Sequence, residues 1–142
     1  MISSWKLSLL LLTLSLALAA SQEPSNNEMK VLRTLTPVNV TNANVRQSLW
    51  FAMQEYNKHS EDEYVFLVAK ILQAQLQITD RLEYLIDAEI ARSTCRKPVS
   101  EDEGCVIEEN AKLGKKLYCN FWVRTLPWNG EFTVIEKHCK DV

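Results

Sequence analysis

The sequence predicts an α+β domain in which one helix precedes four antiparallel strands. Three observations predict it: apolar residues at helical spacing after Asn44, alternating apolar and polar residues between Leu72 and Ile90, and an Asn-Gly dipeptide, Asn129-Gly130, between two later alternating runs. The sheet is expected to wrap its apolar face around the helix, because an antiparallel sheet with one wet face must cover the other.

The helix is predicted from a stripe of apolar residues and from its flanking polar residues. Asn44 and Gln47 resemble a capping box at its start, and the polar run Asn57 to Glu63 indicates a loop at its end. The residues at helical spacing are Val45, Leu49, Ala52, Met53 and Tyr56. A face of this kind predicts a helix that packs on the core.

The first two strands are predicted on either side of the turn Thr79-Asp80-Arg81. In the first, Leu72, Ala74, Leu76 and Ile78 alternate with Gln73, Gln75 and Gln77. In the second, Leu82, Tyr84, Ile86, Ala88 and Ile90 face inward, and Glu83, Asp87 and Glu89 face water. Ser93 to Gly114 is predicted to be a long loop.

The last two strands are predicted to form a hairpin around Leu126-Pro127-Trp128-Asn129-Gly130, a turn signal because Asn and Gly tolerate positive φ. Their inward residues are Leu117, Cys119, Phe121 and Val123, then Phe132 and Val134. Trp128 lies at the tip, where its ring either awaits a binding partner or folds back onto the core. The sequence leaves these two alternatives open.

Four cysteines in so short an exported chain predict two disulfides with three possible connectivities. Cys119 and Cys139 are equidistant from Asn129, which favours a bridge across the hairpin. The remaining pair, Cys95 with Cys105, would close a small loop.

The first twenty residues have the pattern of a secretory signal, with Lys6, the apolar stretch Leu7 to Leu16 and the small residues Ala17 to Ala20. We therefore expect a signal peptide at 1–20, a domain at 21–142, and a secreted, extracellular protein. No later segment is long and apolar enough to span a membrane. Loss of Lys6 changes the net charge from −2 to −3, which gives no reason to expect a nucleic-acid or membrane partner.

Residues for catalysis are missing from the predicted domain. Every cysteine has a disulfide partner, His59 and His138 lie in no metal-ligand spacing, and no glycine-rich phosphate loop is present. We expect a binding protein, not an enzyme, with no cofactor or metal. Asn39-Val40-Thr41 is a glycosylation sequon, which predicts an exposed position.

Four motifs resemble a type 2 cystatin over the whole mature domain: Glu55-Tyr56-Asn57-Lys58, Gln77 to Arg81, Ala91 to Cys95, and Pro127 to Gly130. A narrower likeness, to the epididymal and spermatogenic subgroup of this family, is carried by Asn42 to Val45, Trp50 to Met53 and Leu126 to Phe132. The resemblance implies a cystatin-like fold, a long helix wrapped by a sheet of four to five strands with two disulfides. It also implies expression in the reproductive tract.

The resemblance further implies a wedge that blocks papain-like cysteine proteases without covalent chemistry. Its protease-contact residues would be Arg33 and Thr34 in an N-terminal arm, Gln77, Ile78, Thr79, Asp80 and Arg81 in a first loop, and Pro127 and Trp128 in a second. The family has a hinge glycine where this chain has Arg33 and Thr34, and Val and Gly where it has Thr79 and Arg81. A second family site, for legumain, has Glu61 in place of Asn. Weak inhibition is expected because glycine permits close backbone approach and a long cationic side chain does not.

Two hypotheses follow. The chain is either an inhibitor with altered specificity, whose targets include proteases of the cysteine or the serine type, or a non-inhibitory reproductive-tract protein that binds or self-assembles. For the second, the glutamine-bearing strand Leu72 to Ile78 and its first loop suit domain swapping into a homodimer or larger species.

Overall fold

In the part of the chain that the structure describes, one helix and five antiparallel strands make up the fold. The computed structural model describes residues 34–98 and 104–142; the predicted signal peptide and Arg33 lie outside these ranges. The elements are β1 (Thr36–Val38), α1 (Ala43–His59), β2 (Tyr64–Ile78), β3 (Leu82–Arg96), β4 (Lys116–Leu126) and β5 (Glu131–Asp141). The strands form one sheet in the order β1-β2-β3-β4-β5. The predicted α+β fold is confirmed, and β1 is a short strand that the alternation did not indicate.

Helix α1 packs its apolar stripe on the sheet as predicted. Its buried residues are Val45, Ser48, Leu49, Ala52, Met53 and Tyr56. The predicted start was wrong by two residues: the cap is Asn42, whose side chain accepts a 2.8 Å hydrogen bond from the Asn44 amide. The helix continues to His59, and Ser60 closes it with a 2.8 Å bond from its amide to the Tyr56 carbonyl.

The core lies between α1 and the inner faces of β3 and β4. Ile86, Ala88 and Ile90 on β3, and Cys119, Phe121 and Val123 on β4, are buried there. Phe132 and Val134 of β5 pack against the same cluster. The inward residues predicted for these three strands are therefore confirmed, with Leu82, Phe132 and Val134 half-buried at the edge of the cluster.

Strand β2 differs most from its prediction. It begins at Tyr64, eight residues before Leu72, and pairs with β3 along its whole length. A β-bulge between Ile71 and Gln73 shifts the alternation, so Ile71 packs on the core and Leu72 is exposed. Ala74 is buried as expected, but Ile78 is exposed at the end of the strand.

The predicted loop Ser93 to Gly114 is shorter in the structure. Strand β3 continues to Arg96 because the early part of β2 pairs with it, Tyr64 lying opposite Arg96. The disulfides join Cys95 to Cys105 and Cys119 to Cys139, the connectivity that the spacing favoured. Cys119 and Cys139 are direct partners in the β4–β5 ladder.

Arg92 bonds to two of the segments that connect secondary-structure elements, at the end of the sheet near the Cys95–Cys105 disulfide. Its Nη2 lies 2.6 Å from Oδ2 of Asp62, before β2, and its Nη1 donates a 2.8 Å bond to the Leu113 carbonyl, before β4. Burial would raise the pKa of Asp62, but the hydrogen bonds from Arg92 and from the Tyr64 amide outweigh it and lower the pKa. The carboxylate is therefore held in its charged form.

Candidate binding edge formed by two hairpin loops

Two hairpin loops emerge side by side at one end of the sheet. The first, Thr79 to Arg81, joins β2 to β3, and the second, Pro127 to Gly130, joins β4 to β5. They are neighbours because β3 and β4 are paired next to the loops, with Leu82 opposite Thr125. We call these seven residues, together with the adjoining Ile78, the two-loop edge.

The first loop turns without a glycine. The Thr79 amide donates a 2.9 Å hydrogen bond to the Arg81 carbonyl, and the Arg81 amide donates one of 3.3 Å to Oγ1 of Thr79. Arg81 also lies 3.6 Å from the carboxylate of its neighbour Asp80. Within the described residues no side-chain-bearing residue has positive φ, so the loop reaches its shape with ordinary backbone conformations.

The second loop is a single 3-10 turn, Pro127–Asn129, closed by Gly130. Gly130 has φ +68°, the left-handed region that favours glycine, and its amide bonds the Pro127 carbonyl. Asn129 stays at negative φ, so only the glycine of the Asn-Gly signal uses positive φ. Trp128 is 70% exposed, which decides between the two alternatives left open by the sequence: the ring points outward.

An ion pair joins the two loops. Nε of Arg81 lies 3.6 Å from Oε2 of Glu131, the residue directly after Gly130. Both side chains are partly exposed, so solvent screens their attraction and the pair contributes little to stability. It does direct the Arg81 side chain toward the second loop. The space between the loops is therefore occupied by charged groups.

Beneath the first loop lies a buried carboxylate that the sequence placed in water. Glu83 is 2% exposed because its side chain is covered on the sheet face opposite the helix. Oε1 accepts a 2.8 Å bond from Nε1 of Trp122, and Oε2 accepts a 2.6 Å bond from Oγ1 of Thr79. The alternation correctly placed Glu83 on the outer face, but it did not indicate that Trp122, a diagonal neighbour on β4, bonds to it there.

The other predicted contact residues are less closely grouped. Gln77 is half-buried at the end of β2, and Thr34 is exposed at the start of the described residues. Glu61 is exposed in the connection after α1, as expected of a solvated acid, and Asn39 of the sequon is exposed. Across residues 34–98 and 104–142, no three side chains form a group suited to a metal ion.

Comparison with known proteins agrees with this architecture. The family model described as "Cystatin domain" matches residues 34–128, which is more than half of the chain. The chain belongs to the cystatin family. It is 68% identical to human Cystatin-8 over 135 residues, covering 95% of each chain, and 54% identical to mouse Cystatin-8 over 136 residues, covering 96% of each. These cystatins place it among the type 2 members of the reproductive subgroup.

Solved cystatin structures have the same fold. The crystal structure of dimeric human cystatin F superposes with a TM-score of 0.70 at 25% identity, covering 78% of this chain and 88% of that one. The cystatin family, to which the family model and the sequence relatives assign the chain, is a family of protease inhibitors. No helix in the described part of this cystatin is long and apolar enough to cross a membrane.

Proposed function

We propose that this cystatin is a secreted protein that docks its two-loop edge into protease clefts and inhibits papain-like cysteine proteases weakly. The observation that carries the proposal is the position of Arg81. Its guanidinium lies at the tip of the first loop, between the carboxylates of Asp80 and Glu131. Trp128 beside it offers an outward indole that suits an apolar subsite.

The expected loss of affinity follows from desolvation. A narrow cleft that receives the first loop must remove water from Arg81 and its two acidic neighbours, and imperfectly paired charges oppose binding. A cost of about 1.4 to 3 kcal/mol weakens binding by roughly one to two orders of magnitude. The substitutions at Arg33 and Thr34, where the family has its hinge glycine, are expected to weaken the arm in addition.

Papain inhibition by the disulfide-intact protein tests the proposal. We expect weak inhibition, tighter binding by about tenfold or more in Arg81→Gly, and a further loss in Trp128→Ala. Arg96→Gly is the matched control, since Arg96 is an exposed arginine at the opposite end of β3. Wild-type inhibition as tight as that of an ordinary secreted cystatin, or identical behaviour of Trp128→Ala, would refute the proposal.

A serine-type target is a second candidate. The first loop presents Asp80-Arg81 on a short turn braced by the Thr79 hydrogen bonds, an arrangement that suits a protease that accepts basic residues. A panel of basic-specific serine proteases would test this candidate, with Arg81→Gln as the diagnostic variant. Inhibition that survives Arg81→Gln would exclude Arg81 as the recognised residue.

Self-assembly by exchange of β2 between copies is the non-inhibitory alternative. Strands β2 and β3 are each fifteen residues long and are joined by only three, so opening the first loop would let β2 of one copy pair with β3 of another. The dimeric state named for human cystatin F supports considering it. Size-exclusion chromatography at rising concentration should show a dimer; a strictly monomeric protein would count against it.

Export and glycosylation complete the proposal. Residues 1–20 would direct secretion, with 21–142 as the mature domain and the reproductive tract as its site of action. Oδ1 of Asn39 accepts bonds from the amide and the hydroxyl of Thr41, 2.9 and 2.7 Å long, and the side chain is exposed to a modifying enzyme. When the chain is expressed in a secreting cell, we expect the protein in the culture medium, with a mass that falls on glycosidase treatment. The mass of Thr41→Ala should not change on the same treatment.

A further inference from the structure

We infer that Glu83 is a positioning residue for the first loop and sets the direction of Arg81 from beneath. This inference rests on the proposed function, because it assigns the group that holds one part of the binding surface in place. Glu83 lies in β3, two residues after Arg81, and is nearly fully buried although it carries an acid. A buried carboxylate is costly unless its oxygens are bonded, so its partners identify its role.

Those partners come from both neighbouring strands and from the loop. Trp122 on β4 donates its indole N–H at 2.8 Å, and Gln77 on β2 donates its side-chain amide at 3.4 Å, both to Oε1. Oε2 accepts the Thr79 hydroxyl at 2.6 Å and lies 3.9 Å from Nε of Arg124. Glu83 therefore ties the loop to β2 and to β4 through one side chain.

Thr79 transmits this tie to the tip. Its hydroxyl donates to Glu83 and, through the same oxygen, accepts the Arg81 amide at 3.3 Å. A single hydroxyl can do both because it has one proton and two lone pairs. The path from the buried carboxylate to the backbone of Arg81 thus has two hydrogen bonds, and the first of them is charge-assisted.

The Arg81 side chain extends the path to the second loop. Once its backbone is fixed, the guanidinium meets Glu131 at 3.6 Å. Because Trp122 belongs to β4, which leads directly into the second loop, Glu83 also ties that strand to the first loop. We call the hydrogen bonds that link Glu83, Thr79 and Arg81 the brace. In a loop that has no glycine, the brace fixes the direction of the one cationic side chain, Arg81.

Hydrogen exchange tests the inference, and protease binding tests the proposed function separately. In Glu83→Gln and in Thr79→Val, exchange of the Thr79 and Arg81 amides in the free, disulfide-intact protein should accelerate about tenfold or more. Thr79→Ser keeps the hydroxyl and should restore protection. Asp87→Asn is the matched control, because Asp87 is another acid on the same face of β3 and is bonded by Asn120 and Gln73, away from the loop.

Unchanged exchange in Glu83→Gln and Thr79→Val would overturn the inference, and so would equal acceleration in Asp87→Asn. Binding of the wild-type protein to papain and to the serine-protease panel tests the proposed function instead. If the amides lose protection but no protease in the panel binds even the wild type, the brace stands and the proposed function fails. To guard against misfolding, urea unfolding should first show that Glu83→Gln still unfolds in one cooperative transition; Thr79→Val on the exposed loop gives an independent reading.

Discussion

The two disulfides are expected to stabilise the protein by different amounts, and removing each in turn measures both contributions. In the chain-entropy model the stabilisation grows with the length of the closed loop. The Cys119–Cys139 bridge spans 20 residues and the Cys95–Cys105 bridge spans 10, which correspond to about 3.3 and about 2.7 kcal/mol. The entropy difference alone, about 0.6 kcal/mol, is small.

Packing widens that difference. Cys119 is fully buried in the main core cluster and the half-buried Cys139 packs against it, whereas Cys95 and Cys105 do not belong to that cluster. Replacing both cysteines of the hairpin bridge by alanine also removes buried sulfur, which adds about 1 kcal/mol. We therefore expect a cost of about 4 kcal/mol for Cys119→Ala/Cys139→Ala and about 3 kcal/mol for Cys95→Ala/Cys105→Ala.

Urea unfolding followed by circular dichroism measures both costs. Free energies should be compared after extrapolation to water, because an uncrosslinked chain exposes more surface on unfolding and has a steeper denaturant slope. Each double variant serves as the control for the other. A larger loss from Cys95→Ala/Cys105→Ala than from Cys119→Ala/Cys139→Ala would refute the reasoning from loop length and burial.

Three further changes probe single contacts. Folding lowers the pKa of Asp62, so the contribution of this carboxylate to stability is complete above its unfolded pKa, near 3.8. The contribution is lost as the pH falls through the folded pKa. The difference in unfolding free energy between wild type and Asp62→Asn should therefore shrink in acid titrations below about pH 4. Asn42→Ala removes the helix cap and should cost about 1 kcal/mol in urea unfolding, against no change in the exposed control Gln47→Ala. Asn57→Ala removes two bonds to the Phe66 backbone and should cost about 1 to 3 kcal/mol by the same measurement.

Sequence patterns predicted the elements whose periodicity is undisturbed. The alternation in β3 and β4 is regular, so Ile86 and Phe121 were assigned to the core correctly. In β2 the bulges break the two-residue period, so Tyr64 to Ile71 gave no strand signal and Leu72 was placed on the wrong face. The helix cap was misplaced because Asn42 and Asn44 are both good capping residues, and only geometry selects between them.

The candidate site was predictable as far as its loops were. The spacing of turn residues located both tips, and the outward Trp128 was one of two readings left open. Glu83 could not be identified because its burial depends on Trp122, thirty-nine residues away, and alternation says nothing about which side chains from neighbouring strands meet. The ladder register places Arg124 directly opposite Glu83 and Trp122 opposite Leu85, so the contact with Trp122 also depends on the direction of the indole side chain.

The Asn57 side chain has a consequence for how copies of this protein can associate. Nδ2 of Asn57 donates a 3.0 Å hydrogen bond to the Phe66 carbonyl, and Oδ1 of Asn57 accepts a 2.8 Å bond from the Phe66 backbone amide. These two bonds replace those of a neighbouring strand, because among the described residues β1 pairs with β2 only at Ala74, Gln75 and Leu76 and leaves this part of β2 as a free edge. A strand from another copy that paired with this free edge of β2 would have to displace the Asn57 side chain and match a bulged strand. Edge-to-edge stacking is therefore disfavoured there, whereas the exchange of β2 proposed above would not use this free edge.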